Sequence, residues 1–479
     1  MANKYDRNLI VIGAGSAGLV TAYISAAVKS KVTLIEKHKM GGDCLNYGCV
    51  PSKSLIRSAR MCAQMRRADK YGIYPCEPKF EFSRIMQRIQ TIIKTIEPHD
   101  SVERYTSLGV ECLTGEARVI SPHEVEINGQ MLSARRLIIA TGARPFVPPI
   151  EGLDKVKALT SDNIWDLKHL PKRLTVLGGG PIGCELAQCF ARFGTEVTLI
   201  EMAPSIMIKD DIEAANIVHQ SLEDDGVKIL TNHKAVNVTG DDNQKQLICE
   251  SESESVAISF DEILVAVGRR ANTENLGLEA LGVELNKNGT IKTDSRLIST
   301  VPSILACGDV TGPYQFTHTA SHQAWYASVN GLFDKFKTFS VDYSVIPWVT
   351  YTQPEVAQVG LTEAMATKQG VDFEITRYDF AGFDRALTET ATNGFVKVIT
   401  PRGKDTVLGA TIVGIHAGEM ITEFTLSMKH RLGLNKILGT IHPYPTWMEA
   451  NKFAAGTWKR EHTPQWALKL LEKFHQWRR

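Results

Sequence analysis

An α/β fold, made of two Rossmann-like dinucleotide-binding domains and a C-terminal α+β domain, is predicted by three features of the sequence. A strand, glycine turn, helix, strand pattern opens the chain; the same pattern returns over residues 174–202; and beyond residue 345 alternating strands give way to helices. The 479 residues leave room for three domains of about 150 residues each.

Composition narrows the function. With 43% hydrophobic and 22% charged residues the chain is ordinary for a globular protein, and 54 basic against 53 acidic residues leave a formal charge of +1. Bulk charge therefore gives no attraction to nucleic acid or a membrane. The nine cysteines (44, 49, 62, 76, 112, 184, 189, 249, 307) are too sparse for a disulfide scaffold, and no second pair or histidine cluster completes a metal signature. No metal is expected, and a reducing, cytoplasmic location is. The apolar stretch over residues 9–28 is broken by glycines and serines into a strand and a turn, which argues against a targeting segment.

The first unit, "NLIVIGAGSAGLVTAYISAAV", runs from an apolar strand through a glycine turn into an alanine-rich helix, and "KVTLIEK" supplies the next strand. A proline-rich stretch near residues 145–151 marks the first boundary. The second unit, "LTVLGGGPIGCELAQCFARFGTEVTLIEM", repeats the design, and "DEILVAVGRRANTENL" closes it near residue 272. The segment "STVPSILACGDVTGPYQFTHTA" reads as a return to the first domain. The expected domains are therefore 1–150 and 273–344 together, 151–272, and 345–479.

Each glycine turn has the chemistry of a dinucleotide site. Gly13, Gly15 and Gly18 follow a strand and open a helix, and Glu36 stands 36 − 18 = 18 residues beyond the last of them. The first glycine permits the turn, the second lets backbone N–H groups approach a pyrophosphate, and the third lets helix and strand pack closely. The helix N-terminus adds positive potential, and the acid accepts hydrogen bonds from ribose hydroxyls. Gly178, Gly180, Gly183 and Glu201 repeat the arrangement, with 201 − 183 = 18. Glu201 suits a free 2′-hydroxyl and repels a 2′-phosphate, and residues 202–205 supply no arginine, so NADH is expected over NADPH.

The stretch "GGDCLNYGCVPSK" places Cys44 and Cys49 five positions apart. A metal clip, a crosslink and a redox couple are all compatible with that spacing. In a regular helix such positions lie about 8–9 Å apart, too far for a disulfide, so Gly48 and Pro51 must distort the backbone if the two sulfurs are to bond. Lys53 is a nearby cation able to lower a thiol pKa.

With these motifs on view, the chain resembles the flavin-dependent pyridine nucleotide–disulfide oxidoreductases, whose members include dihydrolipoamide dehydrogenase, glutathione reductase and mercuric reductase. The resemblance runs nearly the whole length, through "VIGAGSAG", "GGDCLNYGCVPSK", "ATGARP", "GGGPIGCE", "VAVGRRAN", "ACGDV", "TYTQPEVAQVGLTE" and "HPYPTWMEA". It implies FAD at Gly13, Gly15, Ser16, Ala17, Gly18, Glu36, Lys37, Gly42, Asp43, Lys53, Ala117, Thr141, Gly142, Asp309, Thr317 and His318. It implies NADH at Gly178, Gly180, Pro181, Ile182, Gly183, Glu185, Glu201, Ala235 and Gly268. Electrons would pass from NADH through FAD to a Cys44–Cys49 disulfide, with Cys49 facing the flavin and Cys44 meeting the acceptor. The site would be completed across a homodimer, bringing Tyr444 and Glu449 to the partner's cysteines.

The sequence also departs from that pattern. Dithiol-handling members carry a histidine general acid–base where this chain has Tyr444, with Glu449 retained and His442 two residues upstream. A tyrosine near pKa 10 is a poor base at neutral pH, so a dihydrolipoamide dehydrogenase reading is demoted, and His442 becomes a substitute candidate. "FDRALTETATNGFVKV" resembles mercuric reductase, yet no cysteine follows Cys307. Asp43 stands where better-known members have threonine. The acceptor is expected to be a small or protein disulfide, or a soft metal ion.

Other residues carry plainer expectations: Cys184 and Cys189 as core, His416 and His430 as surface or interface. The terminal stretch spaces Trp466, Leu470, Phe474 and Trp477 along one helical face among Lys469, Lys473, Arg478 and Arg479. That face is expected to pack on the body or a dimer partner, with membrane-surface docking as the rival. A flavin-bound scaffold that uses this helix as a binding module is the non-enzymatic alternative.

Overall fold

A computed structural model of the protein describes residues 4–240 and 244–479. The first strand, β1 (Arg7–Ile12), buries four consecutive residues, as a central parallel strand covered on both faces must. It feeds the helix α1 (Ser16–Ala27) and then β2 (Val32–Glu36), which pairs with β1 in parallel, Leu9 opposite Val32 and Ile12 opposite Ile35. The sheet continues through β3 (Val110–Thr114), β4 (Ala117–Ser121), β5 (Glu124–Ile127) and β6 (Gln130–Ile139) in the order β3-β2-β1-β6-β5-β4. The strand Ile304–Ala306 pairs in parallel with β6, so more than 160 residues of chain leave this sheet and return to it.

A short strand, β7 (Ala143–Pro145), pairs antiparallel with Arg269–Ala271. The second nucleotide unit is built on β8 (Arg173–Leu177) and β9 (Glu196–Ile200), parallel with Leu177 opposite Ile200, and Glu262–Val265 flanks β8 on the other side. The helix Pro181–Arg192 connects β8 to β9 and starts on a proline, whose missing N–H costs nothing at that position. Cys184 and Cys189 lie on it, 0% and 2% exposed, and burial pushes the Cys189 thiol up to about 12. They are core residues, as expected.

The chain divides into two units: residues 1–61, 78–200 and 233–342 in one, residues 62–77, 201–232 and 343–479 in the other. The second unit is centred on an antiparallel sheet of five strands, Pro347–Thr350, Glu355–Gly360, Gly409–Gly414, Phe395–Pro401 and Phe373–Asp379 in that spatial order. Its core gathers Val396, Val398, Ile412, Phe380, Phe383, Phe424 and Trp447. Within it Lys397, 2% exposed at its side chain, is ion-paired with the equally buried Asp211 at 3.0 Å and with Glu213. His416 and His430 flank the helix Ala417–Lys429, and His416 is half exposed at its side chain.

The terminal helix Gln465–Arg478 buries none of its residues in the protomer, and Trp466 and Trp477 are 71% and 81% exposed. Packing on the body of its own chain is therefore not observed. Among the described residues no helix is long and apolar enough to cross a membrane.

Candidate redox site

The two glycine turns superimpose in their reasons for being glycine. Gly13 has φ +104° and Gly178 φ +103°, and a Cβ on either would lie 2.3 or 2.5 Å from the carbonyl oxygen of Ala140 or Ala266. Gly18 and Gly183 admit no Cβ either, since the carbonyls of Gly13 and Gly178 stand 1.7 and 1.9 Å from where it would sit. Gly15 and Gly180 cap their helices without any side-chain hydrogen bond, which leaves the first-turn N–H groups, including those of Ser16 and Ala17 or Pro181's neighbour Ile182, to an anion. The space over Gly180 is open.

The acids are held in advance. Glu36 accepts hydrogen bonds from the N–H of Ala14 at 2.7 Å and of His38 at 2.8 Å; Glu201, which follows β9 directly, accepts one from Ala203 at 2.7 Å. Lys37 reaches only the edge of Glu116 at 4.0 Å. Thr141 donates to the Asn272 carbonyl, Gly142 has φ +68°, and Ala117 is buried at the start of β4. Ala235 sits on a strand opposite Cys249, Gly268 accepts from the Phe146 N–H, and the His318 ring stacks on Phe316 at 5.3 Å.

Between the first glycine turn and the cysteines the chain closes up. Gly42, φ +58°, begins the five-residue helix α2 (Gly42–Asn46), and a Cβ on it would lie 2.5 Å from the Cα of Gly15. α2 stops at Tyr47, where the Asp43 carbonyl accepts the N–H groups of both Tyr47 and Gly48. A new helix, α3 (Cys49–Arg66), starts at once, with Pro51 in its first turn where no N–H is needed. The expected distortion is thus a break into two helices, with Cys44 on the first and Cys49 at the N-terminus of the second.

That break brings the two sulfurs within hydrogen-bonding reach of each other. The Cys49 thiol is lowered to about 6: the hydrogen bond from Cys44 is the largest cause, burial opposes it, and the Thr317 hydroxyl, 3.4 Å from the sulfur, and the Lys53 charge assist. Cys44 is raised in turn, since it donates to its neighbour and is buried beside a negative charge. Lys53 is fixed by Glu185, Nζ to Oε2 2.9 Å, and Glu185 is 6% exposed at its side chain. Cys49 is thus lowered and Cys44 raised, the division that thiol–disulfide exchange requires.

The residues also fit a flavin dinucleotide. Asp309 is buried enough that its carboxyl rises to about 6, and among the described residues no hydrogen bond reaches its oxygens; Arg269 is 3.9 Å away. Half-buried acceptors of that kind are matched by ligand hydroxyls such as those of a ribityl chain.

The candidate proton-transfer residues lie in the second unit. The Tyr444 hydroxyl donates to Asp384 at 2.9 Å, and this bond, with the Asp384 charge, raises the phenol above its ordinary value. It is a donor rather than a base. Glu449 accepts from the Thr446 N–H at 3.3 Å at the start of its own helix. His442 places Nδ1 3.0 Å from the Thr440 carbonyl and Nε2 2.9 Å from Glu423, which also accepts from Asn451. The Thr440 carbonyl and the Glu423 carboxylate hold the ring in place. Glu423 belongs to no motif and Asn451 directly follows "HPYPTWMEA", but Asp384 is the second residue of "FDRALTETATNGFVKV" and could have been noticed. Arg269 lies inside "VAVGRRAN" and could have been singled out there. No group of three or more metal-ligating side chains occurs among the described residues.

Residues 7–324 match the pyridine nucleotide-disulphide oxidoreductase family, and residues 346–455 match the dimerisation domain of the same family. A dihydrolipoyl dehydrogenase of Chlamydia muridarum is 34% identical over 458 residues, covering 94% of this chain and 97% of that one. A mercuric reductase of Bacillus cereus is 33% identical over 461 residues, 96% of this chain and 72% of the relative. Among solved structures, the HOCl-induced flavoprotein disulfide reductase RclA from Escherichia coli matches with a TM-score of 0.83 at 28% identity, over 94% of this chain and 99% of that chain.

Proposed function

The chain belongs to the pyridine nucleotide-disulphide oxidoreductase family, and on that premise we propose that this FAD-dependent disulfide oxidoreductase draws its electrons from NADH and delivers them through Cys44 and Cys49. The observation that supports the route is the Cys49 thiol, lowered to about 6 at the head of α3 with Thr317 and Lys53 beside it. FAD, when bound, supplies a two-electron carrier between the nicotinamide and the disulfide. The chain's residues do the rest. Gly15, Gly42 and the open first turn of α1 receive the pyrophosphate, Glu36 the ribose and Asp309 the ribityl hydroxyls. Gly180 and Glu201 receive the nicotinamide nucleotide, and the carboxylate of Glu201 favours the form without a 2′-phosphate.

At the pair itself, two electrons and one proton open the S–S bond to a Cys44 thiol and a Cys49 thiolate, and Cys44 attacks the acceptor once its proton has passed to the Cys49 sulfur it is hydrogen-bonded to. The domains at 1–150 with 273–344, and 151–272, would hold the two nucleotides, and 345–479 would form the homodimer. Tyr444, kept protonated by Asp384, would then approach the partner's cysteines. Acceptors of this chemistry are disulfides or soft metal ions, each taken up by a thiolate.

Anaerobic titration of the purified protein with NADH tests the reading. The expected product is a two-electron reduced form with a long-wavelength thiolate charge-transfer band, absent after Cys49→Ser. A kcat/KM that favours NADPH would remove the nucleotide assignment, and a protein that shows no such band would remove the route. A screen of disulfides, quinones and metal ions as oxidants then identifies the acceptor class.

A further inference from the structure

Asp43 is the acid that stands where threonine is usual, and its surroundings are uneven. It precedes Cys44 in the first turn of α2, and its carboxylate lies 3.4 Å from the Arg269 guanidinium. Arg269 is 13% exposed at its side chain and is anchored by a 2.7 Å hydrogen bond to the Ala143 carbonyl on β7. It also stands 3.9 Å from Asp309. Asp162, raised chiefly by burial and then by the Asp43 charge, feels the same guanidinium. Three carboxylates thus share one arginine, and the charge of Asp43 is only partly offset. Lys53, the cation that acts on Cys49, is paired with Glu185.

The Asp43 oxygen also approaches the cysteines. Oδ2 lies 2.9 Å from the point a Cβ on Gly48 would occupy, so the carboxylate packs against the residue that joins Tyr47 to Cys49. We propose that Asp43, positioned by Arg269, sets the reduction potential of the Cys44–Cys49 couple by holding a fixed negative charge against it. This rests on the redox reading of the pair. Reduction consumes two electrons and one proton, breaks the S–S bond, and forms one S–H bond and one thiolate. The product carries a negative charge that the disulfide lacks, and a neighbouring carboxylate opposes its formation. In keeping with this, the Asp43 charge raises both thiols. The consequence is a couple that rests oxidised more readily and, once reduced, is a stronger donor to its acceptor.

The test equilibrates holoenzyme with dithiothreitol at graded ratios of its reduced and oxidised forms, traps thiols with a mass tag and counts label on Cys44 and Cys49. Asp43→Asn and Asp43→Thr are expected to raise the equilibrium constant for reduction at least tenfold, about 30 mV for a two-electron couple. Asp43→Glu, which keeps the charge, is expected to stay within threefold of the unsubstituted protein. Unchanged constants in Asn and Thr, a shift the other way, or a Glu variant that moves with them would each overturn the proposal. A variant that loses flavin is compared with flavin-stripped protein of the natural sequence, because the label reads the sulfurs directly. If the unsubstituted pair never forms a disulfide, the redox reading of the site fails instead, which is a distinguishable result.

Discussion

The Lys53 ammonium stands 2.9 Å from the buried Glu185 carboxylate, and the same ammonium lowers the pKa of Cys49. A lysine tied to a buried acid cannot swing into solvent, so its charge remains a fixed part of the thiolate's environment. Alkylation of the fully reduced protein by iodoacetamide should follow the Cys49 thiolate, reaching half its plateau at about pH 6 and levelling off near neutrality. Cys44, whose thiol is raised, should stay unlabelled over the same range. Lys53→Met removes a charge that stabilises the thiolate, so the midpoint should move up by roughly one pH unit, the lower end of what an opposite charge within a few ångströms produces. An identical curve for the variant would show that the cation does not reach the sulfur.

Tyr444 and Asp384 give the second prediction. The phenol is bound as a donor, and its pKa is raised rather than lowered, so it cannot take a proton from a dithiol at neutral pH. Turnover with a dihydrolipoyl-type dithiol should accordingly be slow. Tyr444→His puts a group of matched pKa at the place, with Asp384 present to orient it, and should raise dithiol-dependent NAD⁺ reduction by roughly 10²-fold, the lower range for general base catalysis. Failure of the histidine to help would mean that this position does not meet the substrate.

Much of the site was legible because its demands are local. A left-handed turn under a carbonyl admits only glycine, which is why Gly13 and Gly178 could be read at once, and a helix break between Cys44 and Cys49 was foreshadowed by Gly48 and Pro51. Lys53 and Glu185 were each singled out by a motif, but their pairing was not. Contacts formed by folding alone were not legible. Nothing near residue 43 says that an arginine more than two hundred residues away will meet it. Glu423 meets His442 without any motif of its own. The terminal helix shows the converse limit: its amphipathic spacing was plain, but periodicity does not say what the apolar face will touch.

Lys397 and Asp211 are buried together, each 2% exposed at the side chain, and Asp211 also caps the helix Ile212–Asp224 by accepting from Glu213 and Ala214. Hydrogen bonds to Glu213 and Asp211 keep the lysine charged against the cost of burial. Lys397→Met leaves a buried carboxylate without its partner, and should lower stability by about 3–5 kcal/mol, read as a lower guanidinium midpoint. Lys397→Met with Asp211→Asn removes both charges while the asparagine still caps the helix, and should recover a good part of that loss. A double variant no better than the single one would mean that shape, not charge, is what the pair contributes.

The terminal helix Gln465–Arg478 leads to the last prediction. It buries no residue in the protomer, so deleting residues 465–479 removes almost no core. Its apolar residues Trp466, Leu470, Leu471, Phe474 and Trp477 are all exposed, and burying any one of them against a partner contributes about 1.5–3 kcal/mol. Flavin content and the unfolding temperature of dilute protein should survive truncation if the face is solvated in the dimer as well. If it is instead clasped by the second copy, the truncated protein should dissociate at concentrations where the full chain remains dimeric in sedimentation velocity. Equal dimer stability with equal recovery in liposome co-sedimentation would remove both the dimer and the membrane roles from this helix.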